Sequence, residues 1–490
     1  MVDGDVQDPG QVAPALALAD LFDKGRLARE DNLRAYAKEM LKEFIARVEE
    51  QGENPIKEPG TLIQKNIEGF DSALSTQVNE ILHHPEFQKV EATWRGFHYL
   101  VFKSSTGSKL KLRVLNVSKK DLLSDLEKAA EFDQSALFKK VYEEEYGTFG
   151  GSPYSCLLGD YEFSNHPKDM ELLIRLSQIA AAAHAPLLTA ASPNLFNLDS
   201  FSDLGVPRDL AKLFESTEMA KWRGFRETED SRYVVLTLPH VLMRVPYGPD
   251  TCPVEGMNFV EDVDGTNNSH FCWGNAAYAL GERITNAFTM YGWTAAIRGV
   301  EGGGLVENLP TYTFKTTDGD VALKCPTEIA VTDRREKELS DLGFLAICHC
   351  KGMDYAAFFG GQTAQKPRMY NTADATANAN LSARLPYMLA ASRFAHYVKV
   401  LMRDKIGSFM TKDEVQKYLT NWIANYVLLS DEAPQTIKAK YPLREARVDV
   451  YEVPGQPGSY RSVIYLRPHF QLEDLNASLR LVANLPPPAA

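Results

Sequence analysis

The chain has 490 residues, of which 44% are hydrophobic and 24% charged, and a formal net charge of −12. This composition excludes a wholly disordered or fibrous chain, and the length favours two to four domains. The acidic balance argues against a partner bound through nucleic-acid phosphates. Because no apolar run is long enough to cross a membrane, we expect a cytoplasmic protein without direct membrane insertion. Its six cysteines are typical of reduced thiols.

The N-terminal part is predicted to be a helical arm followed by a linker. Apolar residues recur at near-helical spacing over residues 15–50, and Gly and Pro punctuate residues 51–60. Two more helices, separated by a break at Pro85, are predicted within residues 61–90. We therefore expect the arm and linker to lie apart from the body of the protein.

The body is predicted to be of the α/β class. Basic and apolar side chains alternate from residue 109 to residue 114, and residues 109–117 predict a strand, after which Ser118 is suited to cap a helix. A strand at 156–163, a helix at 169–184 and a strand at 185–191 predict a βαβ unit with parallel strands. Residues 233–238, 276–291 and 294–298 are expected to repeat this order.

The C-terminal part changes character. Two long helices are predicted, at residues 381–405 and at residues 412–429, and Thr411 and Glu414 fit a capping box at the start of the second helix. Alternating residues 444–453 and 459–468 then predict a β-hairpin, and residues 475–485 a third strand. Strands at the end of a chain have open edges unless another strand pairs with them.

Several polar residues are candidates for catalysis or ligand binding. Asp160 and Glu162 end a predicted strand, where open α/β sheets place catalytic groups, but no nucleophile or histidine partner follows them locally. Cys348, His349 and Cys350 are adjacent on a predicted strand, so Cys348 and Cys350 could share a face but His349 could not, and a second ligand pair with suitable spacing is missing. We expect all five to be structural.

The remaining histidines and glycines also indicate no reaction. His83, His84 and His240 lack the Glu-x-x-His spacing of a zinc helix. The glycines at 299–304 and 360–361 match neither the phosphate-binding pattern G-x-x-x-x-G-K-[ST] nor the dinucleotide-binding pattern G-x-G-x-x-G. We therefore predict that the protein is not an enzyme and has no catalytic residue, cofactor or metal ion. The rival interpretation is a metabolic enzyme built on a doubly wound sheet.

Long motifs nevertheless resemble one known family. They are TWRGFHYL at 93–100, LLGDYEFS at 157–164, APLLTAASP at 185–193, SRFAHYVKVLMRDKIGSF at 392–409 and RPHFQLEDLNASLRLV at 467–482. Over residues 60–490 the chain resembles the large sheath subunit of type VI secretion systems, the TssC/VipB family. A sheath of a phage-like or extracellular contractile device is the alternative within this architecture.

The resemblance implies a multi-domain, contractile-tail sheath-like fold and a structural role. It implies that the chain pairs with a small TssB/VipA-like subunit, polymerises with its own copies around an Hcp-like inner tube, attaches to a baseplate, and contracts to expel the tube. A ClpV-like AAA+ unfoldase would then disassemble the sheath. The expected organisation is an arm and linker at 1–60, a body at 61–380 and an inner region at 381–490, within a membrane-anchored apparatus.

Three sets of residues are candidates for contacts between these proteins. Those for strand pairing between subunits lie in the hairpin: Arg447, Val448, Asp449, Val450, Tyr451, Val463, Ile464, Tyr465 and Leu466. Those facing the tube are four basic residues of the helix predicted at 381–405: Arg393, Lys399, Arg403 and Lys405. Those recognised by the unfoldase lie in the N-terminal arm: Leu16, Leu18, Leu21 and Phe22.

Overall fold

The computed structural model describes residues 59–471, except 317–318, 409, 431, 456–458 and 470, together with seven residues between 36 and 46. The chain divides into two compact units. One comprises Met1–Ile81 and Tyr247–Glu261, and the other comprises Leu82–Pro246 and Asp262–Ala490.

The first unit is built on helix α1 (Pro59–Leu82), of which only the last residue belongs to the second unit. The backbone N–H of Asn258 donates to Asp71 Oδ2 at 3.2 Å, which ties the segment Tyr247–Glu261 to this helix. An apolar stripe on α1 is more than 40% exposed at each of its positions. The stripe consists of Ile63, Ile67, Phe70 and Leu74.

The predicted N-terminal arm lies mostly outside the described residues. The seven residues described between 36 and 46 are helical, in keeping with the expected helix, and residues 51–58 of the linker are not described. Pro59 and Gly60 begin α1 instead of closing the linker, because proline is well suited to the first turn of a helix.

The second unit contains most of the regular structure. Its α-helices longer than one turn are α2 (Pro85–Lys103), α3 (Lys119–Lys128), α4 (Pro167–Ala183), α5 (Leu210–Glu215), α6 (Ala220–Arg226), α7 (Ala277–Tyr291), α8 (Asp333–Asp341), α9 (Ala373–Ser382), α10 (Leu385–Asp404), α11 (Lys412–Ala424) and α12 (Gln435–Lys440). A helical turn at Ala136–Phe138 continues as a π-helix at Lys139–Tyr146. The break between α1 and α2 falls at Pro85, as predicted.

A six-stranded mixed sheet forms the centre of this unit, in the order β1-β2-β3-β9-β10-β6. Strands β1, β2, β3 and β9 are parallel, whereas β10 and β6 run antiparallel to their neighbours. Helix α4 connects the parallel pair β1 and β2. The strands are β1 (Leu157–Phe163), β2 (Leu187–Ala191), β3 (Val234–Leu238), β6 (Leu305–Val306), β9 (Leu345–His349) and β10 (Ala356–Phe358).

Each face of the sheet has its own hydrophobic core. Val234 and Leu236 of β3 point into a cluster with Trp222 of α6, whereas Val235 points into a second cluster with Leu280 of α7. All these side chains are at most 1% exposed, and burying one such side chain contributes about 1.5–3 kcal/mol. Burial on both faces explains why these strands are continuous apolar runs.

Three small antiparallel sheets complete the unit. The C-terminal one packs with α10 and α11 in a third cluster that includes Trp293, Phe394 and Leu419. Their strands are β4 (Val241–Leu242), β5 (Trp273–Gly274), β7 (Tyr312–Lys315), β8 (Val321–Lys324), β11 (Leu443–Glu452) and β12 (Tyr460–Pro468).

Two predicted strands are wrong. Residues 109–117 are not in a strand, and Val114 and Leu115 are 70% and 51% exposed, because no described strand lies beside this alternating segment. Residues 294–298 also pair with no strand, although Ile297 is buried under the sheet. Ser118 does cap α3, and its Oγ accepts the backbone N–H of Asp121 at 3.1 Å.

The two predicted C-terminal helices differ from the structure at their ends. The first is divided at residues 383–384, and Pro386 lies in the first turn of α10, because proline has no backbone N–H with which to continue an earlier helix. The second, α11, has the predicted capping box but ends at Ala424, because the following chain pairs with β11 through Leu428 N and Leu443 O at 2.8 Å.

Candidate functional site

The hairpin β11–β12 buries one face on the helices before it. Val448 and Val450 are each 2% exposed and pack in the cluster of Leu419 and Ile423 from α11. Ile464 and Leu466 of β12 join the same cluster, half-buried. Four of the nine residues predicted for strand pairing therefore have side chains that hold the hairpin on its own subunit.

The other five predicted residues alternate with these and lie on the opposite face. Arg447 donates to Asp449 Oδ2 at 2.7 Å, and its guanidinium lies 4.6 Å from the ring centroid of Tyr465. Tyr451 and Tyr465 are 50% and 51% exposed. Val463 is directly opposite Asp449 in the register of the two strands. This face is amphipathic and largely accessible.

The register of the hairpin defines which backbone groups point to its outer edge. Val453 N donates to Ser459 O at 2.9 Å, and pairs in an antiparallel ladder alternate, so odd-numbered residues of β12 bond to β11. The N–H and C=O groups of Ser462, Ile464 and Leu466 therefore point away from β11. Within the described part of the chain, β12 pairs with no other strand.

The three candidate basic residues of α10 and Lys405, which directly follows this helix, all have contacts within the subunit. The Lys399 ammonium lies 3.5 Å from the ring centroid of Tyr146, and Arg403 donates to Thr148 O at 2.6 Å and to Tyr146 O at 2.7 Å. These two side chains connect α10 to the π-helix and the residues after it.

The other two basic residues stack on rings close to them. The Arg393 guanidinium lies 4.6 Å from the ring centroid of Tyr397, on the same helix, and the Lys405 ammonium lies 4.8 Å from that of Tyr418 on α11. Stacking on a ring leaves N–H groups of the guanidinium or the ammonium able to donate hydrogen bonds to a partner protein.

A second polar cluster lies at the carboxyl ends of the parallel strands. His240 follows β3 and lies between two carboxylates, with Nε2 3.0 Å from Glu162 Oε1 and Nδ1 2.5 Å from Glu328 Oε2. Glu328 also accepts hydrogen bonds from Ser200 Oγ at 2.5 Å and from Phe201 N at 3.0 Å. Glu162 is thus paired with a histidine that sequence spacing did not indicate.

The environment of this cluster favours an imidazolium between two carboxylates. Burial lowers the pKa of His240, but the hydrogen bonds and charges of Glu162 and Glu328 outweigh it and raise the pKa to about 10. Burial raises the pKa of each glutamate, and the hydrogen bond from His240 outweighs that effect, so both values are lowered. A triad whose three side chains are charged near neutral pH joins elements of the fold and is not poised for proton transfer.

The other candidates also have structural surroundings. Asp160 Oδ2 accepts a hydrogen bond from Thr93 Oγ1 at 2.5 Å, which ties β1 to α2. Cys348 is buried in the core, and Cys350 is exposed. Across the described residues, no group of three or more His, Cys, Asp and Glu side chains is suited to hold a metal ion. His83 stacks on His270 with ring centroids 4.2 Å apart.

Some candidates cannot be placed. Leu16, Leu18, Leu21 and Phe22, predicted for unfoldase recognition, lie outside the described residues, and so does the strand predicted at 475–485. None of the helices in the described residues is both long and apolar enough to span a membrane.

Comparisons with known proteins identify the family. A model of the EvpB/VC_A0108 tail sheath N-terminal domain matches residues 64–365, and a model of its gpW/gp25-like domain matches residues 374–485. The chain belongs to the VipB tail sheath family. It is 53% identical over 430 residues to the "Type VI secretion system sheath protein TssC1" of Pseudomonas aeruginosa, covering 86% of each chain. The family resemblance inferred from the motifs is confirmed, and the chain is a type VI secretion sheath subunit.

Solved structures of contractile devices are similar more remotely. The anti-feeding prophage baseplate matches with a TM-score of 0.35 and 10% identity, covering 64% of this chain and 66% of that chain. The contracted helical sheath of the same prophage matches with a TM-score of 0.29 and 11% identity, covering 63% and 66%. Both scores are too low to equate the folds, so the assignment rests on the sequence matches.

Proposed function

We propose that this sheath subunit acts by assembly and not by catalysis. It pairs with a small TssB/VipA-like subunit, polymerises helically with its own copies around an Hcp-like tube, and contracts to expel that tube. The observation that carries the proposal is the outer edge of β12, where backbone groups at three successive even positions have no strand beside them in the described residues. Such an edge accepts a further strand by β-augmentation.

The wider set of partners follows from the same role. A baseplate would start the polymer, and a ClpV-like AAA+ unfoldase would take apart the contracted sheath, with Leu16, Leu18, Leu21 and Phe22 as its recognition residues. The subunit would work in the cytoplasm as part of a membrane-anchored apparatus. The two matched ranges, 64–365 and 374–485, support a body and a C-terminal inner region that follow an N-terminal arm.

The hairpin is suited to pairing because its inner face holds it on its own subunit while the outer edge of β12 stays open in the described residues. Its inner face is committed to the cluster around Leu419, so the edge is held in position before a neighbour arrives. Ser462, Ile464 and Leu466 together direct three N–H and three C=O groups outward. At about 0.5–1.5 kcal/mol for each net hydrogen bond, six bonds would contribute roughly 3–9 kcal/mol for every subunit added.

A pair of proline substitutions separates assembly from folding. Ser462→Pro removes an outward N–H and leaves the ladder to β11 intact, so we expect a folded subunit that forms no sheath. Val463→Pro removes a ladder bond and is expected to destabilise the hairpin itself. The assay is co-expression with the small subunit, followed by negative-stain microscopy for rods and a thermal melt. Normal rods from a well-folded Ser462→Pro protein would refute pairing at this edge.

Contacts with the tube are proposed to be few and polar. Arg393 and Lys405 are the better candidates, since Lys399 and Arg403 hold the π-helix region through the contacts described above. Exposed ion pairs contribute about 0–1 kcal/mol each, so repetition along the polymer gives a firm but breakable grip.

Single reversals to Glu test this assignment. Arg393→Glu or Lys405→Glu is expected to abolish extended sheath around the tube while still permitting empty rods. Arg403→Glu is expected to lower the melting temperature of the subunit. If neither Arg393→Glu nor Lys405→Glu alters the yield of tube-filled sheath, the grip lies elsewhere.

A further inference from the structure

One segment of the second unit has the pattern of a strand but no strand beside it. Residues 109–117, which we call the unpaired segment, lie between α2 and α3. From residue 110 to residue 118 the chain contains no helix, turn or bend, so it is extended. Basic and apolar side chains alternate over residues 109–114, as they do in a strand with two different faces.

The backbone of the unpaired segment has open hydrogen-bonding groups. Within the described part of the chain, no other group bonds to the N–H and C=O groups of residues 111–116. Both edges of the segment are therefore open, and such an edge is a template on which another chain adds a strand.

Contacts at its two ends hold the segment in this extended form. Near the start, Leu110 O accepts the backbone N–H of Gly107 at 2.9 Å, and at the end Val117 O accepts the hydroxyl of Tyr161 of β1 at 2.7 Å. Because the segment is already ordered, pairing with a second strand requires less loss of conformational entropy than it would in a mobile loop.

The apolar face of the segment borders a groove. Leu110 and Leu112 line it together with Phe97 and Val101 of α2, and its volume is about 350 Å³. Val114, two residues further along, is 70% exposed. This face can therefore receive apolar side chains from a strand that pairs with the segment.

The opposite face is basic. Lys109 and Lys111 are exposed and have no ion pair with any described residue, whereas Arg113 pairs with Glu145 and donates to the Tyr154 hydroxyl at 3.2 Å. Pairing of the segment with the same segment of a second copy would place like charges beside one another, which destabilises a pair of strands. The charges favour a strand of another kind, with Asp or Glu on this face.

We propose that the unpaired segment becomes a β-strand by pairing with an extended segment of a different protein, in which Asp or Glu alternates with apolar residues. This assignment rests on the proposed function, in which the different protein is the small sheath subunit. The acidic side chains lie beside Lys109 and Lys111, and the apolar ones enter the groove beside Leu112. The strand predicted at 109–117 then forms only in the complex.

Two neighbouring proline substitutions test the pairing. Successive N–H groups of a strand point to opposite edges, so only one of Val114→Pro and Leu115→Pro removes an N–H from the edge that the partner uses. Both side chains are exposed, so both variants are expected to fold, which a thermal melt checks. Each variant is co-expressed with an affinity-tagged small subunit. One variant should lower the recovered large subunit about tenfold, and the other less than about twofold.

A charge reversal tests the chemistry of the partner strand. Lys111→Glu is expected to lower recovery about tenfold, because like charges then face each other across the two strands. The matched control is Lys120→Glu on α3, also at an exposed lysine, which should leave recovery unchanged.

The outcomes distinguish the pairing from the proposed function. If the unaltered chain does not co-purify with the small subunit, both are overturned. If it does, equal effects of the two prolines or of the two charge reversals would overturn the pairing alone. Loss of rods without loss of the two-chain complex would show that the segment pairs with a second copy, which also refutes the proposal.

Discussion

The charged triad of Glu162, His240 and Glu328 predicts how the stability of the protein changes when His240 is replaced. His240 lies between Glu162 and Glu328, and its side chain is 15% exposed. The variant His240→Ala removes the imidazolium. The carboxylate of Glu328, whose side chain is 6% exposed, then lacks its counter-charge. We expect a clear loss of stability at neutral pH, because an uncompensated buried charge is costly.

The magnitude follows from the pKa of His240. A rise from 6.5 to about 10 in the folded state corresponds to at most about 5 kcal/mol. The side chain of Glu162 is 47% exposed, and solvent screening there reduces the expected value to roughly 2–4 kcal/mol. Because the folded-state pKa is the higher one, this contribution is fully present below about pH 6.5 and is lost as the pH rises towards about 10.

The two glutamates set the lower limit of the same window. Their folded-state pKa values are lowered from 4.5, so their contribution is present above that value and is lost as the pH falls through the lowered values. The stability difference between the native protein and the His240→Ala variant should therefore be largest between about pH 4.5 and 6.5.

Denaturant unfolding at several pH values measures this difference. The matched control is His98→Ala, since His98 is an exposed histidine that stacks on Phe102 with ring centroids 4.0 Å apart. The control should change stability by less than about 1 kcal/mol at every pH. A His240→Ala protein whose loss of stability stays the same from pH 6 to pH 10 would show that the histidine is held neutral and that the electrostatic reasoning is wrong.

Three further predictions concern the arm and the C-terminal region. Removing residues 1–30 should permit assembly but slow disassembly of contracted sheath by the unfoldase, which sedimentation over time would detect; unchanged disassembly would exclude the arm as the signal. Phe394→Ala should cost about 3–5 kcal/mol in denaturant unfolding, since Phe394 is 1% exposed and stacks on Trp293; a loss below 1 kcal/mol would contradict a packed cluster. Thr411→Ala should cost about 1 kcal/mol by losing the capping box, whereas Thr411→Ser should restore it.

Sequence patterns located those elements whose physical cause is local. Capping of α3 by Ser118 and of α11 by Thr411 depends on residues three positions apart, and apolar runs mark the strands buried on both faces. The strand predicted at 109–117 shows the limit of such reasoning. Alternation describes a side chain's neighbours along the chain, whereas a strand also needs a second strand beside it.

Long-range polar contacts could not be predicted from the sequence. Glu162 is 78 positions from His240 and meets it because β1 and β3 end at the same edge of the sheet. Glu328 is 88 positions away and is held beside it because the backbone N–H of Glu328 donates to His240 O at 2.9 Å. The one signal in the sequence was position, because Glu162 and His240 each lie at the end of an apolar strand.

The packing of α10 explains how a pull on the hairpin can reach the body of the subunit. Leu385 and Leu389 of this helix are buried in the core beneath the central sheet, and Phe394, little more than one turn later, is buried in the cluster beneath the hairpin. One helix therefore belongs to both cores. A force applied at the outer edge of β12 passes through Val448 and Val450 into the hairpin cluster, and from there along α10 to the sheet. Because close-packed cores deform little, the hairpin and the sheet are expected to move together.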